Sequence, residues 1–263
     1  DRRGPPGLVP SGMEVAVISE RRNERVVHLT IDAPPVNVLD GANLGELVDR
    51  LGALKGDESV AAVVLSGEGK CFSAGASVAE HKPDQAEGML SALSEACLAV
   101  PAFPAPVIAA VHGACLGGAM ELISYCDFVV AAPEAVFGQP EIKLAFFPPV
   151  AVHRLPQLTG YQNAAYSIMS GDNLPAERAL AMGLVQKILP KDDWGELDDL
   201  FNGLSAPVLR LTKSVMARGV REDNSEPLEN SNRLFMSELY RLKDVEEGIS
   251  SFEERRAPVW EHR

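Results

Sequence analysis

Alternating and helically spaced hydrophobic residues open the chain. Polar and apolar residues alternate over 15–19 and 26–31, which predicts an antiparallel β-hairpin with the polar residues 21–24 as its turn. Leucine and valine then recur at helical spacing within 42–54, directly after Asp40. We therefore expect a helix there, with Asp40 as its N-cap.

Three continuous apolar runs follow, at 60–65, 106–111 and 128–132. Such runs are typical of strands covered on both faces, as in a mostly parallel sheet. Residues 117–125, between the second and third runs, have the length of a short helix. The succession of strand, loop, helix and strand places the chain in the α/β class.

The pattern changes after Pro190, where a polar stretch over 191–199 precedes a region that is predicted to be helical. An apolar stripe near its end, close to one helical face, consists of Leu228, Phe235, Leu239 and Leu242. We interpret this stripe as a packing face against the same domain or another subunit.

Length and composition predict a folded protein with a sizeable core. The chain has 263 residues, 46% of them hydrophobic, which suits one large domain or one domain with an appendage. Residues 1–12 precede Met13 and are expected to be a leader or a disordered tail. No run approaches the roughly 20 apolar residues that span a bilayer, so we expect a soluble protein.

Charge and cysteine usage exclude several kinds of function. The net charge of −13 argues against nucleic-acid binding and against anionic membrane surfaces, because both require a positive field. The spacing of the cysteines forms no metal-ligand motif, and a reducing, cytoplasmic location is expected. These cysteines are Cys71, Cys97, Cys115 and Cys126.

Two glutamates lie in apolar surroundings. Glu121 is the single ionisable carboxylate within 114–125, and Glu141 lies between Phe137 and Ile142. On local pattern, Glu121 either faces solvent or is buried for a specific purpose, because a buried carboxylate needs a partner or a raised pKa. Two neighbouring carboxylates suit the addition of water to an activated alkene, where one group activates water and the other donates a proton.

Small residues form two turns, at 73–76 and 116–119. Such turns let a ligand approach the backbone, and free N–H groups at a helix start could hold an enolate oxygen. The alternative is that these glycines only permit tight packing of helix on strand.

Other kinds of site have weaker support. The glycines from Gly113 to Gly118 lack the G-x-G-x-x-G spacing of a dinucleotide site. His112 follows an apolar strand without a nucleophile motif, so we interpret it as hydrogen-bonded structure. His81 and His153 are no better candidates for a catalytic base.

Four longer stretches, at 71–77, 106–144, 171–190 and 244–258, resemble the crotonase, or enoyl-CoA hydratase/isomerase, superfamily. The resemblance implies a spiral of repeated ββα units over 13–195 and a helical trimerisation region over 196–263. It also implies a homotrimer or a dimer of trimers. The substrate would be an acyl-CoA thioester, with neither a separate cofactor nor a metal.

The resemblance also assigns site residues. It places the oxyanion-hole donors on the backbone N–H groups of Ala76 and Gly118, and the hydratase acids on Glu121 and Glu141. Because both acids are present, it favours a hydratase or dehydratase over an isomerase or decarboxylase. A non-catalytic assembly or RNA-binding homologue is the remaining alternative.

Coenzyme A contacts are implied as well. The adenine would lie against 74–78, and the tail arginines would approach the phosphates, in one arrangement from a neighbouring subunit. The residues implied in CoA or substrate binding are Ala74, Gly75, Ser77, Val78, Gly117, Arg255 and Arg256.

Two departures from the family pattern concern the substrate. Ser77 stands where the family often has aspartate, and 144–151 replaces a glycine-rich stretch. Phe146 adds bulk and Pro148 stiffens the backbone beside the expected acyl group. Cyclohexadienecarbonyl, 3-methylglutaconyl and 3-hydroxy-3-methylglutaryl groups all remain open.

Overall fold

The protein is represented by a computed structural model that describes residues 17–77, 80, 84–144, 146–219, 241–244, 247, 251, 254–261 and 263. The expected leader at 1–12 lies outside this range. So do Val78, His81 and three residues of the apolar stripe, Leu228, Phe235 and Leu239.

The described strands form two sheets. Their bounds are β1 (Ile18–Asn23), β2 (Val26–Ile31), β3 (Ala62–Gly67), β4 (Val107–Val111), β5 (Ala114–Leu116), β6 (Phe128–Ala131), β7 (Val136–Gly138), β8 (Leu174–Pro175) and β9 (Lys187–Ile188). The larger sheet has the order β1-β2-β3-β4-β6-β9, and the smaller has the order β5-β7-β8. Every pair from β2 to β9 in the larger sheet is parallel, which confirms the α/β prediction.

The described helices are α1 (Gly41–Leu54), α2 (Ala86–Ala102), α3 (Gly118–Ile123), α4 (Ala151–Thr159), α5 (Tyr161–Ser170), α6 (Ala176–Ala181), α7 (Gly195–Asn202) and α8 (Ala206–Gly219). Short 3-10 helices span Pro140–Leu144 and Lys191–Asp193. The predicted cap of α1 is confirmed, because the Asp40 carboxylate accepts a hydrogen bond from Asn43 N at 2.9 Å.

A repeated ββα unit organises these elements. One strand joins the larger sheet, the next joins the smaller sheet, and a helix follows, as in β4, β5 and α3. Every residue of β3 and β4 is buried, as their continuous apolar runs predict. Helix α2 has no counterpart among the predicted elements, although Met89, Leu93 and Val100 lie on its buried face.

The antiparallel hairpin and the bounds of its second strand, 26–31, are confirmed, but the predicted bounds of its first strand and turn are wrong. Strand β1 runs from Ile18 to Asn23, so residues 21–23 of the predicted turn lie within the strand, and the turn is at Glu24 and Arg25. The reason is that β1 is an edge strand. Its central residues are exposed, and hydrogen bonding to β2 determines its length rather than alternating hydrophobicity.

Apolar layers cover both faces of the larger sheet. One includes Leu44 of α1, Leu93 of α2 and Met120 of α3. On the other face, Leu197 and Phe201 of α7 pack with alternate residues of the sheet. Helices α7 and α8 confirm the predicted helical structure within 195–219. The division at 195/196 stays a prediction. No helix within the described ranges is both long and apolar enough to cross a membrane.

Candidate active site

Glu121 is buried beneath the start of helix α4. It lies in the first turn of α3, and its side chain is only 2% exposed. Its Oε1 accepts hydrogen bonds from Val150 N and Ala151 N, both at 2.8 Å. The open alternative of a solvated position is therefore excluded, because this carboxylate is held by otherwise unpaired N–H groups at a helix N-terminus.

Burial also changes the acidity of Glu121. Loss of hydration raises the pKa of its carboxyl to about 7, and the nearby charge of Glu141 acts in the same direction. The hydrogen bonds from Ala151 and Val150 oppose this change because they stabilise the ionised form. Glu121 can therefore exchange a proton near neutral pH, as an acid/base group requires.

Glu141 lies in the 3-10 helix that follows β7, and burial raises the pKa of its carboxyl as well. The fully buried amide of Gln139 faces this carboxylate. In the amide orientation that satisfies both groups, Gln139 donates to Oε1 at 3.2 Å and to Oε2 at 3.0 Å. Gln139 is not among the residues that the sequence predicts, and its position two residues before Glu141 is the signal that could have found it.

The two small-residue turns meet beside these acids. A Cβ added at Gly118 would lie 3.2 Å from the Cβ of Ala76 and 3.4 Å from its backbone nitrogen. Within the described ranges, neither Ala76 N–H nor Gly118 N–H donates to a protein acceptor. Two unused donors are therefore adjacent, an arrangement that suits a ligand oxygen carrying negative charge.

Two glycines in these turns cannot be replaced without strain. Gly75 has φ +101°, and a Cβ there would approach Leu116 O to 2.5 Å. Gly117 has φ +51°, and a Cβ there would approach Glu141 Oε1 to 2.6 Å. Gly75 and Gly117 therefore permit close packing, and the segments that pack closely are those that form the candidate site.

A cavity of about 270 Å³ joins these groups. Apart from the two carboxylates and backbone atoms, the part of its surface that the described residues form is apolar. Its lining residues are Ala74, Gly75, Ala76, Ala86, Met89, Leu90, Leu93, Gly117, Gly118, Glu121, Pro140, Glu141, Leu144, Phe146, Phe147 and Pro149.

Some predicted binding residues lie away from this lining. Pro148 is buried and does not line the cavity, whereas its neighbours Phe147 and Pro149 do. Ser77 follows the lining segment without being part of it. Arg255 is exposed, and the exposed Arg256 forms ion pairs with glutamates of its own segment. Their contacts with CoA stay predictions.

Among the residues that the structure describes, no histidine lines the cavity. His112 is buried, and its Nε2 lies 2.9 Å from Gly69 O, which confirms its interpretation as hydrogen-bonded structure. His153 is exposed on α4. In the part of the chain that the structure describes, no group of three His, Cys, Asp or Glu side chains could hold a metal ion.

Comparison with known sequences points to one family. The sequence profile of "Enoyl-CoA hydratase/isomerase" matches residues 21–263. Cyclohexa-1,5-dienecarbonyl-CoA hydratase of Thauera aromatica is 32% identical over 249 residues, which cover 92% of this chain and 95% of that protein. A probable enoyl-CoA hydratase of Bacillus subtilis is 33% identical over 252 residues, covering 92% and 97%.

Solved structures extend the similarity to the whole fold. The enoyl-CoA hydratase of Bacillus anthracis has a TM-score of 0.86 and 29% identity, covering 94% of this chain and 100% of that one. Pseudomonas aeruginosa DspI has a TM-score of 0.84 and 27% identity, covering 95% and 98%. The overall fold is therefore shared along nearly the entire length of the chain.

Proposed function

Because this chain belongs to the enoyl-CoA hydratase/isomerase family, we propose that Glu121 and Glu141 are the acid/base pair of its reaction and that Ala76 and Gly118 form its oxyanion hole. The enzyme is a hydro-lyase of the enoyl-CoA hydratase type, as its relatives indicate. It adds water reversibly across the α,β double bond of an acyl-CoA thioester.

The buried carboxylate of Glu121, the partly buried carboxylate of Glu141 and two unused N–H donors surround one cavity, and this arrangement carries the proposal. The thioester oxygen accepts hydrogen bonds from Ala76 N and Gly118 N. Attack of water on the β-carbon moves electrons into the thioester, so negative charge develops on this oxygen. Donors fixed in place before the reaction stabilise that charge without reorganising, which lowers the barrier.

Proton transfer then involves the acids in turn. In hydration, Glu121 takes a proton from the attacking water and Glu141 gives one to the α-carbon, so the product gains one complete water molecule. Since Oε1 of Glu121 is bound to the start of α4, Oε2 is the oxygen available to water. Dehydration reverses each step, and the pair therefore holds one proton at the start of either direction.

The cavity favours an uncharged cyclic or branched acyl group. Phe146, Phe147 and Leu93 offer apolar surface, and among the described lining residues there is no Lys, Arg or His. A 3-methylglutaconyl or 3-hydroxy-3-methylglutaryl group would bring a second carboxylate into this surface, and an unpaired charge is costly there. A ring of the cyclohexadienecarbonyl type carries no such charge, and a relative at 32% identity is named for that substrate.

Assembly is the remaining part of the proposal. A homotrimer, or a dimer of trimers, would bring the tail of one subunit toward its neighbour, where Arg255 or Arg256 could approach the CoA phosphates. Sedimentation equilibrium of the full chain would test this assembly. A monomer at all protein concentrations would contradict it.

The reaction is tested by incubating the enzyme with cyclohexadienecarbonyl-CoA, crotonyl-CoA and 3-methylglutaconyl-CoA and measuring product masses. We expect gain of one water, most efficiently with the cyclic substrate. Glu121→Gln and Glu141→Gln should each lower kcat by about 100-fold or more, because general acid/base groups contribute on this scale. Loss of CO2, an unchanged mass, or full activity of either variant would contradict the assignment.

A further inference from the structure

Ala76 occupies a defined place because Leu39 hydrogen-bonds on both sides of it. Leu39 N donates to Gly75 O at 2.9 Å, and Ser77 N donates to Leu39 O at 3.0 Å. In this parallel bridge between Leu39 and Ala76, Leu39 hydrogen-bonds to the residues before and after Ala76 and not to Ala76 itself. The N–H of Ala76 therefore points away from Leu39, and the segment that contains Leu39 determines where this donor lies.

A buried side chain two residues earlier fastens that segment. Asn37 is 2% exposed, and its Nδ2 lies within hydrogen-bonding distance of three carbonyl oxygens, those of Glu68 at 2.9 Å, Cys71 at 2.9 Å and Phe72 at 3.2 Å. Its Oδ1 accepts from Ala33 N at 2.9 Å. The Asn37 amide thus ties the turn before α1 to the loop that leads from β3 to Ala76.

The backbone of Asn37 matches this role. Its φ of +53° lies in the left-handed region, which asparagine adopts more readily than most other residues. The neighbouring residue Val36 adds a further link, since its carbonyl accepts from Ala74 N at 2.9 Å. Asn37 thus secures the short segment 36–39, which contacts the candidate oxyanion loop at three consecutive hydrogen bonds.

We propose that Asn37 is a positioning residue for catalysis, which sets the distance and direction of Ala76 N–H relative to Gly118 N–H. The inference rests on the proposed oxyanion hole and adds to it a residue that does not line the cavity. Oxyanion stabilisation depends on donor placement at the level of an ångström or less. Loss of the Asn37 amide would release the 36–39 segment and move one of the two donors.

Asn37→Gly is the test variant, since glycine accepts a positive φ and deletes the amide. With a substrate that the wild type hydrates, we expect kcat to fall about tenfold or more while KM changes less than about threefold. The infrared carbonyl band of a bound, 13C-labelled unsaturated thioester should move back toward its frequency in solution. A structural effect alone would not move this band in folded protein.

Asn202→Ala is the matched control. Asn202 also joins two segments, accepting from Arg25 N at 3.0 Å and donating to Asn23 O at 3.4 Å, but it does not line the cavity. The Asn202→Ala substitution should lower the melting temperature and leave kcat and the carbonyl band unchanged. If Asn37→Gly does not fold, Asn37→Ser, which retains one donor, replaces it with the same expected direction.

The outcomes separate the two proposals. A wild type that hydrates no acyl-CoA contradicts the proposed function. An active wild type whose folded Asn37 variants keep kcat and the carbonyl band contradicts the positioning role alone.

Discussion

At the scale of single residues, the two oxygens of Glu121 have different surroundings. Oε1 is occupied by two backbone donors, whereas the cavity adjoins the same side chain. This arrangement holds the carboxylate in one orientation and leaves its second oxygen for the proposed proton transfer. It also requires a charged group to lie in a buried position, which has a measurable effect on stability.

The effect on stability is predicted to depend on pH. The folded-state pKa of Glu121 is about 7, against an ordinary value of 4.5. Between these values the folded protein binds more protons than the unfolded chain, so the free energy of unfolding decreases as the pH rises through this interval. Above about pH 7 the decrease from Glu121 is complete, with an order of magnitude of about 3 kcal/mol.

Urea unfolding of wild type and Glu121→Gln at pH 5 and pH 8 measures this contribution. The variant cannot ionise, so it should lose less stability than the wild type between the two values. Glu141, whose pKa is also raised, titrates in both proteins, so the difference between them measures Glu121 together with its electrostatic coupling to Glu141. Equal changes in the two proteins would show that Glu121 titrates as in the unfolded chain.

At the scale of elements, the entry into helix α3 is the part of the fold that shapes the site most directly. Gly117, in a positive-φ conformation, lies between β5 and α3 and leaves room for the Glu141 carboxylate. The same short connection brings Gly118 N–H beside Ala76. Gly117 therefore affects the position of the Glu141 carboxylate and also that of the Gly118 N–H.

We predict that Gly117→Ala lowers kcat by about tenfold or more, because its Cβ would displace the Glu141 carboxylate and misplacement on the ångström scale is costly in catalysis. The positive φ adds an expected stability loss of about 1 kcal/mol. Steady-state kinetics with thermal melting checks both effects. Unchanged kinetics would mean that Glu141 does not act from its observed position.

Gly45→Ala is the matched control within a regular helix. Gly45 lies in α1, is exposed, and has nothing within 4 Å of an added Cβ. Alanine there should increase the free energy of unfolding by about 0.5 to 1 kcal/mol, because glycine loses more conformational freedom on folding. Its kinetics should equal those of the wild type.

At the scale of the whole molecule, a partly buried ion pair joins helix α8 to the central sheet. Lys213, whose side chain is 9% exposed, lies 2.7 Å from Asp127 and donates to Ala105 O at 3.0 Å. Asp127 in turn accepts from Val107 N in β4 at 2.7 Å. The pair thus connects the last described long helix with the strand at the centre of the sheet.

We predict that Lys213→Ala lowers the free energy of unfolding by about 2 to 3 kcal/mol. The loss leaves Asp127 without its cation, but Asp127 is 31% exposed, so the effect falls below that of a fully buried pair. Lys187→Ala is the control, because its pair with Glu196 is exposed by more than half on both sides and should contribute at most about 1 kcal/mol. Denaturant unfolding of both variants compares them, and equal losses would contradict the role of Lys213.

Local sequence patterns determine much of this fold. The continuous apolar runs specify β3, β4 and β6 as buried strands, and Asp40 caps α1, because burial and helix capping depend on residues close together in sequence. The local pattern alone left the place of Glu121 open. The family resemblance named it as an acid, together with Glu141 and the two backbone donors.

Tertiary structure decided what depends on distant segments. The donors to Glu121 come from 29 and 30 residues away, and the loop of Ala76 is fixed through Asn37 and Leu39 on a separate turn. The length of β1 likewise follows from pairing with β2 rather than from its own pattern. A sequence shows which groups need partners in a buried site, but the packing of the whole chain determines which groups become those partners.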